Sequence, residues 1–332
     1  MLIKKFIVKI FTFFNYIKSK LQKRKILKYK KYLEKTKSNF YNFNQFLFVF
    51  QTYNKGLFAQ KILNPFLEMK VKNILVFADG CIDSSANEFH KIMKGKYHFV
   101  IQSNDLHEIH NYRLSLSFAD NLDCKYIVLL QDDDLYNKNL FEWVIDSTGL
   151  IEKFNASIVG GLSGFNLVSN FQYKKANKSI TSANFKEFKN NSGKNFYQLG
   201  DFEKCEIPQF EESIKNQNYK FVAAVNRSPQ LIKVKLAKEL GFFPKELEPY
   251  QYDDHFNCFK SWIHGYKVIL APLAGIKPIG IGGMRLFNNV NLKARPIHFA
   301  KNWNFILETF GQLINNGFIQ SLVNEANNKY KI

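Results

Sequence analysis

From residue 46 onward, short apolar runs alternate with segments of helical period. Phe46, Leu47, Phe48, Val49 and Phe50 read as a buried strand, followed by a helix that reaches about Glu68. Residues 73–78 predict a second strand ending at Asp79-Gly80, and residues 84–93 a helix. Residues 97–102 predict a third strand and 109–121 a helix. Residues 126–130 predict a fourth strand that runs into Gln131, Asp132, Asp133, Asp134 and Leu135. This alternation predicts an α/β, Rossmann-like fold with a mostly parallel central sheet flanked by helices. Ligands of such sheets gather beyond the carboxyl ends of the strands. Asp79 and the acidic triplet 132–134 both fall there.

Two stretches depart from the pattern. Leu2, Phe6, Ile10, Phe13, Phe14, Ile17 and Leu21 recur at helical spacing, so residues 1–40 predict a basic amphipathic N-terminal helix. Residues 164–220 are rich in Asn, Lys, Ser and Gln with weak periodicity, and read as a variable insert over the site. Regular pattern returns at Phe221, with a helix expected over 231–240, a turn over 241–244, a helix over 253–265 and a strand over 267–271. The expected organisation is a basic segment (1–40), a main α/β domain (44–300, carrying the insert) and a C-terminal helical segment (301–332).

Charge sharpens the view of the N-terminus. The 332-residue chain carries a net charge of +19. Residues 1–35 hold twelve lysines and arginines against Glu34 alone, which leaves +8 for everything else. A basic, aromatic-faced helix suits peripheral contact with an anionic membrane; the alternative is a helix docked on the main domain. Nucleic acid is not an expected partner, because no recognisable nucleic-acid module follows the basic run. No stretch approaches the ~20 apolar residues that span a bilayer. The four cysteines are scattered without a CxxC pair, which fits a reducing, cytoplasmic setting, including the inner face of a membrane.

The acidic residues carry the candidate chemistry. Three adjacent carboxylates repel one another unless a cation or solvent compensates. Mn²⁺ or Mg²⁺ takes oxygen ligands, and Mg²⁺ typically combines one or two carboxylates with substrate phosphates. Asp132 and Asp134 have the spacing that puts two carboxylates on one face of a continuing strand; an exposed acidic turn is the plainer alternative. Asp79 can accept hydrogen bonds from a base or ribose, with Gly80 permitting close approach, or it simply ends a strand-to-helix turn. Asp253 and Asp254 stand at a helix start, where the macrodipole favours carboxylates. A carboxylate there can also take a proton from an acceptor hydroxyl.

In their order and spacing these pieces resemble a family 2 glycosyltransferase of the GT-A fold. Thr52-Tyr53-Asn54 is similar to the family's opening after the first strand. Residues 79–83 (Asp-Gly-Cys-Ile-Asp) resemble its Asp-Gly-Ser-x-Asp segment, with Cys81 in place of serine. Residues 126–135 resemble its strand with the Asp-x-Asp metal motif. Residues 226–232 and 240–244 resemble the approach to its catalytic helix, and Asp253-Asp254 its Glu-Asp pair. The resemblance covers residues 46–272, with the insert unmatched.

It implies a nucleotide-diphospho-sugar donor, a saccharide or lipid-linked acceptor and a divalent metal. Asp254 is the implied base, with Asp253 second. Thr52, Tyr53, Asp79, Gly80, Arg113, Asp132, Asp133 and Arg285 are the implied donor-side residues, and Asp132, Asp134 and His298 the implied metal ligands. Surface polysaccharide or glycan synthesis by an inverting displacement is the implied setting. Two other classes stay open: a non-catalytic domain of the same fold that binds a membrane or partner, and a nucleotidyltransferase. The latter needs a phosphate-cradling loop after the first strand, and residues 51–55 offer little of one.

Overall fold

A strand of Phe46, Leu47, Phe48, Val49 and Phe50 is apolar on both faces, so it must be covered from both sides. The computed structural model does this by placing Phe46–Thr52 (β1) inside a layered α/β domain. It describes residues 43–161, 219–225, 229–273, 275–279 and 289–330. The predicted N-terminal helix, nearly all of the 164–220 insert, and Arg285 lie outside the described residues.

After β1 come Ala59–Glu68 (α1), Asn73–Asp79 (β2), Ser85–Ile92 (α2), Tyr97–Ser103 (β3), His107–Asn121 (α3) and Tyr126–Gln131 (β4). Asp134–Leu135 (β5), Asn139–Phe154 (α4) and Ala156–Gly160 (β6) lead up to the insert. Beyond it stand Lys220–Phe221 (β7), Gln230–Lys233 (β8), Val234–Glu239 (α5), Asp253–Ile263 (α6) and Lys267–Leu270 (β9). Lys277–Pro278 (β10), Asn289–Asn315 (α7) and Phe318–Tyr330 (α8) complete the described elements.

Eight strands form one sheet in the order β3-β2-β1-β4-β8-β6-β9-β7, and only β8 and β7 run against the others. The predicted α/β architecture, with a mostly parallel sheet flanked by helices, is therefore present. The carboxyl ends of β3, β2, β1 and β4 lie side by side, which lines up the loops that follow Ser103, Asp79, Thr52 and Gln131.

Alternation along β1 sorts the two faces. Phe48 and Phe50 meet Phe66 of α1 with ring centroids 5.4 and 5.0 Å apart, and Phe141 of α4 lies 5.3 Å from Phe66. On the opposite face Gln51 accepts a hydrogen bond from Asn111 of α3. Farther along the sheet, Ser157 donates to Ser261 of α6 at 2.6 Å. The terminal strand β7 is closed by a side chain. Asn327 of α8 accepts from the Phe221 amide and donates to the Phe221 carbonyl, so that edge presents no unpaired ladder at Phe221.

Two local expectations are corrected. Residues 231–240 were expected to be one helix, but Gln230–Lys233 is a strand between β4 and β6, and the helix begins only at Val234. Leu231 and Ile232 are fully buried there, and sheet burial overrides their compatibility with a helical period. Helix α4 and strand β6 had no predicted counterpart. At the C-terminus, one helix runs across residue 300.

Because Phe66 is fully buried and touches three rings, Phe66→Ala should cost roughly 3–5 kcal/mol of stability. Urea unfolding with an unchanged m-value would register it; a loss under about 1 kcal/mol would show that the aromatic layer is not a packed core.

Candidate active site

The loops at the carboxyl end of the sheet are built around buried carboxylates, and the surroundings of each differ. Asp79, the last residue of β2, is fully buried. Its Oδ1 accepts from the Ser103 hydroxyl at 2.6 Å and the Leu106 amide at 2.8 Å. Its Oδ2 accepts from the His107 amide at 2.7 Å and Gln51 Nε2 at 3.2 Å. These four bonds tie β1, β2 and β3 to the start of α3. Residues Asp105 and His107 both have positive φ there, a conformation that side-chain-bearing residues adopt only when held. Asp79 thus organises the loop floor, and both its oxygens are committed to that task. Gly80 follows with φ 62° and donates its amide to the Ser103 carbonyl.

Asp132 is buried too, yet far less compensated. Its Oδ2 accepts from the Tyr53 amide at 2.8 Å. Burial pushes its pKa up to about 7, against the opposing pull of the Lys55 ammonium and the Tyr53 amide, with Asp133 adding to the rise. Thr52, at the end of β1, is buried beside this turn. The rest of the triplet is pinned from the far side. Asp133 accepts the Ile279 amide through its carbonyl at 2.7 Å, and β5 pairs with β10 in register Asp134 to Pro278. Asp134 is nearly buried, and its Oδ2 accepts from the Tyr136 hydroxyl at 3.4 Å.

Lys55 was not among the expected residues. It is 2% exposed, an unusual state for a lysine, and its amide donates to Ser85 Oγ at 2.8 Å. The signal was available, since a lysine directly follows Thr52-Tyr53-Asn54. Nothing in the sequence showed that the chain would fold it inward.

Asp253 and Asp254 open α6 after Tyr252, which takes a left-handed conformation. Both carboxylates are buried. Asp254 Oδ1 accepts from the His255 amide at 2.9 Å and lies 2.8 Å from His255 Nδ1. The imidazole packs against Tyr252 and Phe259, which fixes the rotamer of the pair. The loop leading in is carried by α7. Asn302 donates through Nδ2 to the carbonyls of Leu247 and Tyr250, both at 2.7 Å, and Gln251 at 3.2 Å. Trp303 packs on Tyr252 with centroids 5.1 Å apart.

Two expected residues have contacts of their own. Arg113, expected on the donor side, has its guanidinium bonded to Glu248 and directed at the Phe243 carbonyl, so it joins α3 to the loop before α6. His298, expected as a metal ligand, packs on Tyr250 with ring centroids 5.5 Å apart. Burial lowers its pKa, and neighbouring Lys301 and His107 lower it further. Among the described residues no three His, Cys, Asp or Glu side chains gather as a metal cage. Asp132, Asp134 and His298 therefore do not stand together as one.

Asp132 and Asp134 still fit a divalent cation of the kind that takes two carboxylates from protein and completes its shell elsewhere. Both are buried oxygen donors, and the raised pKa of Asp132 marks a site short of positive charge.

No protein-family model and no curated protein matches the sequence. Among solved structures, the chain is similar to GalNAc-T7 crystallised with UDP, GalNAc and Mn²⁺, at 12% identity and a TM-score of 0.49. The match covers 70% of this chain and 43% of that one, so this chain spans less than half of that structure's length.

Two outcomes separate the structural carboxylate from the poised one. Asp79→Ala should cost on the order of 3 kcal/mol, because it strips four part-buried donors of a charged acceptor. Chemical denaturation would measure the loss, and an unchanged midpoint would remove the anchoring role. Asp132 behaves in the opposite sense. Its folded pKa lies above its ordinary value, so folding takes up a proton and stability falls as pH rises from about 4 to about 7. Asp132→Asn should therefore gain stability over the wild type across that window, by about 1.4 kcal/mol per pH unit at most. Melting with chelator at pH 5 and pH 8 tests this; an equal difference at both would contradict it.

Proposed function

We propose that this chain is a GT-A glycosyltransferase, of family 2 type, that moves a sugar from a nucleoside-diphosphate donor to a saccharide or lipid-linked acceptor. The observation that carries this reading is Asp132. It is a buried carboxylate at the carboxyl end of a parallel strand, raised in pKa, and set against a buried lysine and a backbone amide. A carboxylate held short of positive charge suits a cation that arrives with a diphosphate better than it suits a purely structural role.

In this reading Asp132 and Asp134 hold Mn²⁺ or Mg²⁺, with Asp133 alongside. When bound, the ion neutralises charge that grows on the leaving diphosphate. Lys55 adds a fixed positive charge near Asp132, which pulls against the rise of its pKa. Thr52, Tyr53 and Gly80 line the floor against which the nucleotide lies. Asp79 contributes by holding β1, β2, β3 and the start of α3 in one rigid arrangement. Across the site, Asp254 accepts the proton of the acceptor hydroxyl, consistent with an inverting displacement. The imidazole of His255 keeps one of its oxygens oriented. Asp253 is the second candidate for that role. Arg285 and the basic N-terminal segment belong to the same proposal, as a donor-side contact and a membrane-side one at the inner face of a membrane.

A thermal-shift screen of nucleotide sugars with and without Mn²⁺ tests the whole scheme. A stabilisation that needs both nucleotide and metal is expected, of several degrees at saturating ligand. Asp134→Ala and Asp254→Ala should each abolish transfer, by at least ~10²-fold, while remaining folded. Full activity in both variants would sink the mechanism, and indifference to every nucleotide with metal would favour a non-catalytic binding domain.

A further inference from the structure

Helix α6 begins without a side-chain cap of its own. Its first hydrogen bond runs from the Phe256 amide to the Tyr252 carbonyl at 2.9 Å, so the backbone of Tyr252 decides where the first turn points. That backbone is unusual. Gln251 and Tyr252 have φ values of 81° and 65°, two consecutive left-handed residues of which neither is glycine. A side chain on such a residue crowds its own backbone, and the conformation persists only where the surroundings enforce it. Asp253 and Asp254 follow at once, so the direction of both carboxylates is inherited from this turn.

The enforcing contacts come from α7, which meets α6 and its lead-in through a seam of rings. Trp303 packs on Tyr252, Phe305 stacks on Phe256 at 5.9 Å, and Phe310 lies 5.4 Å from Phe256 and 5.8 Å from Phe259. Apolar contact of this kind is non-directional, so the rings alone tolerate a slide or tilt of one helix on the other. Asn302 lies beside Trp303 and is fully buried. A buried carboxamide is costly unless it is hydrogen-bonded. This one donates through Nδ2 to the carbonyls of Leu247, Tyr250 and Gln251 at 2.7, 2.7 and 3.2 Å. Relaxing Gln251 to a negative φ would swing its carbonyl away from that nitrogen. One buried amide in an apolar seam thus fixes a register that the rings leave open.

We propose that Asn302 is a positioning residue for the Asp253-Asp254 pair. It sets the register of α7 against the loop and keeps Gln251 and Tyr252 left-handed. The first turn of α6 then carries both carboxylates inward, where each is at or below 4% exposure. The contact between Asp254 and His255 does not do this by itself, because both residues ride on the same turn. The hold has to come from outside α6, and Asn302 supplies it some fifty residues farther along the chain. The holding role stands on these contacts alone. That it serves proton transfer from an acceptor rests on the proposed transferase function.

The test compares the full wild-type chain with Asn302→Ala, Gln251→Val and Gln251→Gly. Hydrogen exchange reads the holding role without any ligand. In Asn302→Ala the amides of His255 and Phe256 should exchange at least ~10-fold faster, while the Leu106 and His107 amides bonded to Asp79 keep their wild-type rates. Gln251→Val puts a β-branched side chain into the left-handed region at a half-buried position, and should give the same pattern with Asn302 intact. It carries the test if Asn302→Ala does not fold. Gln251→Gly, which adopts that region freely, should exchange as the wild type does. With UDP-sugars or GDP-sugars and Mn²⁺, release of the nucleoside diphosphate should fall ~10²-fold in Asn302→Ala and Gln251→Val. Gln251→Gly should retain it, and the thermal shift from nucleotide with Mn²⁺ should be alike in all four proteins. Wild-type exchange at His255 and Phe256 in both Asn302→Ala and Gln251→Val would overturn the proposal. So would equal losses of nucleotide binding and release, which would make Asn302 a general support of the fold. A wild type that shows no thermal shift with any nucleotide and Mn²⁺ would instead remove the transferase reading, and exchange alone would then decide the holding role.

Discussion

Burying a carboxylate is costly, and this domain buries several at one end of its sheet. Asp79, Asp132, Asp253 and Asp254 are each at or below 4% exposure. The structure around them follows from how each charge is met. Asp79 is met by four donors drawn from two neighbouring strands and a helix start, and so becomes the bolt that aligns the loops. Asp132 is met incompletely, and its raised pKa records the shortfall. The contrast between the two carboxylates, two strands apart, lies in their surroundings: four hydrogen-bond donors around Asp79, and burial beside one lysine and one backbone amide around Asp132.

Much of the frame was legible from periodicity. The strand and helix alternation from residue 46 to residue 131 is followed closely by β1 to β4 and the helices between them. What escaped was decided by contacts distant in sequence. Leu231 and Ile232 carry no local sign that they fill the gap between β4 and β6. Helix α4 was not predicted, although Leu140, Phe141, Val144, Ile151 and Phe154, buried along it, recur at helical spacing. In the candidate site, the acidic triplet and the Asp253-Asp254 pair were legible as candidates for chemistry. The partners that divide their roles were not. Asp79 takes its donors from 24 to 28 residues away. Arg113 is claimed by Glu248, 135 positions on. Lys55 reads as a surface cation until the fold turns it inward.

The two halves of the site are supported differently. On the side of β1, β2 and β3, the loops hold one another through Asn54, Asp83, Ser85 and Asp79, a set of short-range clasps within one layer. On the side of α6, the loop before Asp253 is held from outside the sheet altogether, by Asn302 and Trp303 of α7. The first arrangement is rigid wherever the sheet is formed. The second depends on α7, a helix some fifty residues farther along the sequence, having docked.

That dependence has a consequence for how the protein is made. A chain leaving the ribosome can pair β1 to β4 and close the Asp79 network before α6 and α7 have been made. The carbonyls of Leu247, Tyr250 and Gln251 receive their Asn302 bonds only after α7 has emerged. The loop that leads into the carboxylate pair of α6 is therefore held only once residue 302 has been made, some fifty residues after the pair itself.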